Sequence, residues 1–141
     1  MEGSDDRVIG SSPRCLGVEM ESRQERMKAR TRDFAIRVVR LFRALPKSEE
    51  VRIIGRQALR SGASVAANYR AVGRARSKAK FISKVGTVVE EADETVFWLE
   101  LLVAMGIVAA PKLKDLITEA NELLAIFAAS QRTAKGGAMT R

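Results

Sequence analysis

Apolar residues recur along this chain at intervals of three and four, and the recurrence is cut three times by residues that stop helices. From about Glu21 the line Met27, Thr31, Phe34, Val38, Leu41 and Leu45 runs into Pro46, which cannot continue a helix. Ser48, followed by Glu49 and Glu50, reads as an N-cap with acids in the first turn. It opens a second line of Val51, Ile54, Ala58, Val65, Tyr69 and Val72 that ends at Gly73. Ser77 caps a third line, Phe81, Val85, Val88, Ala92, Val96, Leu99 and Val103, which stops at Gly106. Pro111 sits at the start of a fourth, Leu113, Leu116, Ile117, Ala120, Leu123, Leu124 and Phe127. Four amphipathic stripes with short connections predict an all-α protein, an antiparallel up-down-up-down four-helix bundle. Residues 1–19, with three glycines and no sustained period, read as a disordered leader. Residues 20–134 form the bundle and 135–141 a frayed tail.

Within the second line, Ser61, Gly62, Ala63, Ser64, Ala66 and Ala67 leave a stretch almost without bulk, where a neighbouring helix can approach closely. The third line has the opposite character. Val96, Phe97, Trp98, Leu99, Leu101, Leu102 and Val103 point almost all round the axis, more apolar surface than one bundle core uses. Trp98, Leu101 and Met105 form a second stripe offset from the core line, and predict an interface with another subunit.

Composition removes several function classes. With one cysteine, Cys15, and no histidine, neither an internal disulfide nor a Cys/His zinc site is expected. Histidine is also the commonest general base, and no serine or cysteine has an evident activating partner, so the chain reads as a non-enzyme. Glu90 and Glu94 share a helical face, yet a di-iron bundle also wants Glu-x-x-His pairs. No Gly-Lys-Ser/Thr follows phosphate-loop spacing, and no cofactor is expected. The first residues lack a signal-peptide pattern. The most apolar window, residues 96–110, contains Glu100 and falls short of the roughly 20 residues a spanning helix needs. A cytoplasmic protein with no membrane partner is the expectation.

Charge is divided sharply along the chain. Residues 51–89 hold nine cations and no acid, whereas residues 90–126 hold eight acids and two lysines, within a net charge of +8. An antiparallel turn between the second and third helices gathers Arg70, Arg74, Arg76, Lys78, Lys80 and Lys84 into a basic pole. Lys78, Lys80 and Lys84 lie at the start of a helix, where positive charge opposes the dipole. A phosphate ligand would justify that placement; a solvated surface, or pairing with the acids of a neighbouring copy, would not require one. Two readings follow: an oligomer contacting RNA or DNA, and a scaffold whose pole docks an acidic protein partner. Asn68 reads as a register-fixing polar residue, and Tyr69 and Trp98 as packing residues that could otherwise stack on a base.

The run Leu45-Pro46-Lys47-Ser48-Glu49-Glu50, with Arg60-Ser61, Ser64-Val65-Ala66-Ala67-Asn68, Gly73-Arg74, Ser77-Lys78 and Phe81-Ile82, resembles four-helix proteins related to the 23S rRNA intervening-sequence proteins. The resemblance spans roughly residues 32–129. It implies a four-helix protomer assembling into a ring-like homopentamer. Similar accessory proteins of diversity-generating retroelements are basic pentameric barrels that bind nucleic acid and a reverse transcriptase, which implies a nucleic-acid-processing partner here. After Asn68 the sequence departs from the common pattern: Tyr69-Arg70-Ala71-Val72 stands where an Ile-Ala-Glu-Gly run is usual. The change removes an acid and adds an arginine.

Overall fold

The computed structural model describes the backbone of residues 13–139 and the side chains of residues 22–136. Its described residues form four helices and no strand: α1 (Pro13–Ala44), α2 (Glu49–Val72), α3 (Lys78–Ala104) and α4 (Ala110–Met139). The leader's residues 1–12 lie outside the described residues, as does the Cys15 side chain. Residues 13–19 belong to α1, with Pro13 at its first position, where a missing N–H costs nothing. At the other end, α4 continues through Gly136 to Met139 rather than stopping near Ala134. Both extensions follow from helix propagation: an established helix continues through residues of modest propensity until a breaker stops it.

The three internal breaks use different chemistry. Leu45 and Pro46 end α1, and Ser48 sits in extended geometry before α2 but makes no side-chain capping bond, leaving Glu49 and Glu50 to complement the first turn. Ser77 caps α3 as the sequence suggests, its hydroxyl accepting from the Lys80 amide at 3.1 Å. Gly106 has φ +73, and around it the Ile107 amide donates to the Leu102 carbonyl and the Gly106 amide to that of Val103. These are the paired bonds of a Schellman turn, whose left-handed position favours glycine. Gly73 ends α2 with φ −68, so its backbone freedom is not used.

Each helix contributes to one core. Phe34 and Val38 of α1, Val65 of α2, Val88, Leu99 and Leu102 of α3 and Leu123 of α4 are almost fully removed from water. Helix α2 packs on α1 and α3, and α3 on α4, whereas α1 meets α4 only lightly. Along the α1–α2 seam, Gly55 lies against Leu45 and Phe42, and Gly62 against Val38. The small-residue stretch of α2 therefore admits α1. Between α1 and α4, Arg30 supplies a polar link. Its guanidinium donates to both carboxylate oxygens of Glu119 at 2.7 and 2.8 Å and to Glu122 at 2.7 Å. Those acceptors, Glu119 first, hold the guanidinium charged more firmly than usual despite partial burial.

Candidate nucleic-acid interface

The turn between α2 and α3 collects the six cations singled out in the sequence. Arg70 lies in the last turn of α2, Arg74 and Arg76 in the connection, Lys78 and Lys80 in the first turn of α3, and Lys84 one turn further on. All six are exposed, and none makes a salt bridge among the described residues. Arg70 suits the negative end of α2. The first turn of α3 contains no acid, so its positive end is reinforced by lysines instead of neutralised. The Ser77 hydroxyl satisfies only the Lys80 amide, and the earlier amides of that turn have no acceptor within the helix. The turn and the two helix ends beside it thus carry ammonium groups, guanidinium forks and a helix N-terminus, the elements of phosphate recognition.

The neighbouring aromatic is not free to stack on a base. The Tyr69 ring packs at 5.3 Å from Phe127 of α4 in a tilted arrangement, and burial, with a smaller contribution from Glu25, pushes its hydroxyl pKa up. Asn68 donates to the Ser64 carbonyl of its own helix at 2.9 Å. That bond is local, and does not reach across the bundle.

Not all the cations of the basic run serve the pole. Arg60 donates to Glu94 at 2.6 Å and lies 3.4 Å from Glu91, both on α3 of the same chain, and these acids push its pKa up. The Trp98 indole also donates to Glu94, at 3.1 Å. Arg60 first and Trp98 second hold the Glu94 carboxyl below the usual carboxylate range. Glu94 is thus occupied, and no group of three or more carboxylate, Cys or His side chains among the described residues is placed to hold a metal ion.

Trp98 and Leu101 of the offset α3 stripe are half-buried, and Met105 is 55% exposed. The Trp98 ring meets Phe97 edge-on at 4.9 Å. Phe97, part of the apolar surplus of α3 but outside the stripe of Trp98, Leu101 and Met105, is 54% exposed, as is Ile53 of α2. Each departs from the apolar spacing of its helix, which is the signal that marks it as a surface residue. None of the helices described is long and apolar enough to cross a membrane.

Comparison with known proteins adds the lineage. The family model described as 23S rRNA-intervening sequence protein matches residues 23–129. No curated protein matches the sequence. A crystal structure of a protein of unknown function from the S23 ribosomal protein family of Bacteroides thetaiotaomicron is similar at 31% identity and TM-score 0.69, covering 74% of this chain and 96% of that one. With the family model spanning α2, α3 and most of α1 and α4, the chain belongs to the 23S rRNA-intervening sequence protein family.

Proposed function

We propose that this chain is a non-enzymatic binding protein of the cytoplasm that assembles into a ring-like homo-oligomer and contacts RNA or DNA phosphates through the α2–α3 turn. The observation that carries the reading is the set of six exposed cations, unpaired among the described residues, at a helix start that has no acid in its first turn. Stability alone argues against lysines at that position, because they oppose the dipole. A polyanion reverses the sign of their contribution.

The protomer in this proposal is an antiparallel up-down-up-down bundle. Gly55 beside Leu45 and Gly62 beside Val38 pair rising positions on α2 with falling positions on α1, and the Arg60 link to Glu91 and Glu94 is what an antiparallel α2–α3 hairpin brings together. Assembly is supported by Phe97 and Met105, large apolar side chains exposed beside Trp98 and Leu101. A ring repeats the pole once per subunit, so that weak individual contacts act together on one strand.

The test is fluorescence anisotropy of labelled single-stranded RNA and duplex DNA with wild-type protein and Arg74→Glu/Arg76→Glu/Lys78→Glu, with oligomer mass from light scattering. Wild type should bind one of the probes as an oligomer, and the variant should keep the mass but lose about tenfold or more in affinity. A nucleic-acid-free wild type that binds neither probe would leave the protein-scaffold reading in its place.

A further inference from the structure

At the Leu45–Pro46 turn the surface is hollowed twice. One cavity, of about 530 Å3, lies between the end of α1 and the start of α4. Its apolar lining includes the buried Leu45, Leu113 and Leu116, and its charged lining is Arg37, Arg40, Lys112 and Asp115. The second, of about 270 Å3, shares Leu45 and Pro46 with the first, adds Phe42 and the buried Val51, and is edged by Arg43, Lys47 and Arg52. The two adjoin at Leu45 and Pro46, and this two-part trough has a partly apolar lining with six cations against one acid. None of those six cations makes a salt bridge among the described residues. Glu49 and Glu50, though close in sequence, line neither cavity.

We infer that this trough is a docking site for an acidic, amphipathic peptide segment of a partner protein, which seats an apolar side chain in each cavity and lays carboxylates on the surrounding arginines and lysines. Charge complementarity sets the sign of the partner, because the trough carries a large excess of positive charge. The floor sets its class. Nucleic-acid strands bind through phosphates and through stacking on aromatic faces, but Phe42 is the one aromatic here and the rest of the floor is aliphatic. Aliphatic pockets are filled by the apolar anchors of a peptide, and the larger cavity falls within the range of ligand-sized sites. The site lies away from the α2–α3 turn and shares no residue with it, so it stands whether or not that turn binds nucleic acid.

The experiment titrates full-length protein into a short fluorescein-labelled peptide carrying two leucines among aspartates and glutamates, read by fluorescence polarisation. Labelled oligoglutamate and a labelled RNA oligomer run in parallel. Variants are Arg37→Glu/Arg40→Glu, the cavity-filling Ala109→Trp at an exposed lining position, and Arg74→Glu/Arg76→Glu/Lys78→Glu, each checked for helicity by circular dichroism. The peptide should bind wild type about tenfold or more tightly than oligoglutamate does. It should lose about tenfold in affinity with either trough variant and keep its affinity with the α2–α3 turn variant. Absence of peptide binding, equal binding of oligoglutamate, or equal loss in all three variants would overturn the inference. RNA binding that falls with the trough variants while peptide binding does not would assign the trough to nucleic acid instead.

Discussion

Helix α2 makes close contact on two sides and solves the problem differently on each. Toward α1 it removes side chains. A β-carbon at Gly62 would lie 2.9 to 3.1 Å from three carbons of Val38, itself wholly buried, so the seam closes only because nothing is there. Toward α3 it keeps polar side chains. Ser61 and Thr95, both fully buried, meet hydroxyl to hydroxyl at 2.9 Å, and outside them Arg60 spans Glu91 and Glu94. Each hydroxyl also reaches a carbonyl of its own helix, Ser61 that of Gln57 at 2.9 Å and Thr95 that of Glu91 at 2.7 Å. Neither is orphaned if its partner is lost. The difference teaches that the first seam is intolerant of added volume and the second tolerant of lost polarity.

Substitution at Gly62 breaks the comparison most strongly. Gly62→Ala should destabilise by about 1–3 kcal/mol in urea unfolding even though alanine is the better helix former, because the Val38 β-carbon, which no rotamer change moves, would itself lie 3.1 Å from the new methyl. Gly86→Ala sharpens the same point from the opposite direction. The only side chain close to its would-be β-carbon is the amide end of Gln131, which can swing away. That variant should be neutral or up to about 1 kcal/mol more stable.

On the polar seam, Thr95→Val should cost about 1 kcal/mol, and adding Ser61→Ala should cost less than the sum of the two single changes, as chemical denaturation of the four members of a double-mutant cycle would show. The smallest effect belongs to Arg60 and Glu94, which are 49% and 37% exposed. Screening by water limits such a pair to roughly 0.2–1 kcal/mol. The Glu94 pKa is depressed in the folded state, so its contribution is complete above the pKa of an unfolded glutamate and is lost as pH falls through the native value. Unfolding of Glu94→Gln and wild type should therefore differ at neutral pH and converge in acid.

The helix breaks were legible because they are made by residues with local reasons to be there: Pro46, Ser77 and Gly106 act through their own backbone or that of the next turn. The far ends of α1 and α4 were not. Glycines near both ends look like terminators, yet a formed helix runs through them. Periodicity correctly put Val38 and Val65 in the core, because it reports which face is apolar, but it carries no information on which residue of another helix is met. The links of Arg60 to Glu91 and of Ser61 to Thr95 were invisible for that reason. The same limit governs the charged surfaces. Arg70 to Lys84 were found as a run along the chain; five of the six trough cations also lie close together in sequence, from Arg37 to Arg52, but Glu49 and Glu50 interrupt them, and only folding brings Lys112 to them and shows which of them line a cavity.

The most direct measurement on the central claim is the salt dependence of single-stranded RNA affinity for wild type and for Arg74→Glu/Arg76→Glu/Lys78→Glu. If the α2–α3 turn holds phosphates, log K should fall steeply with log salt for wild type. The slope should lessen by at least about 2 in the variant, because each single-strand phosphate contact contributes about 0.7. A wild-type affinity indifferent to salt, or a slope unchanged by reversing those three charges, would contradict the assignment of the α2–α3 turn as the nucleic-acid interface.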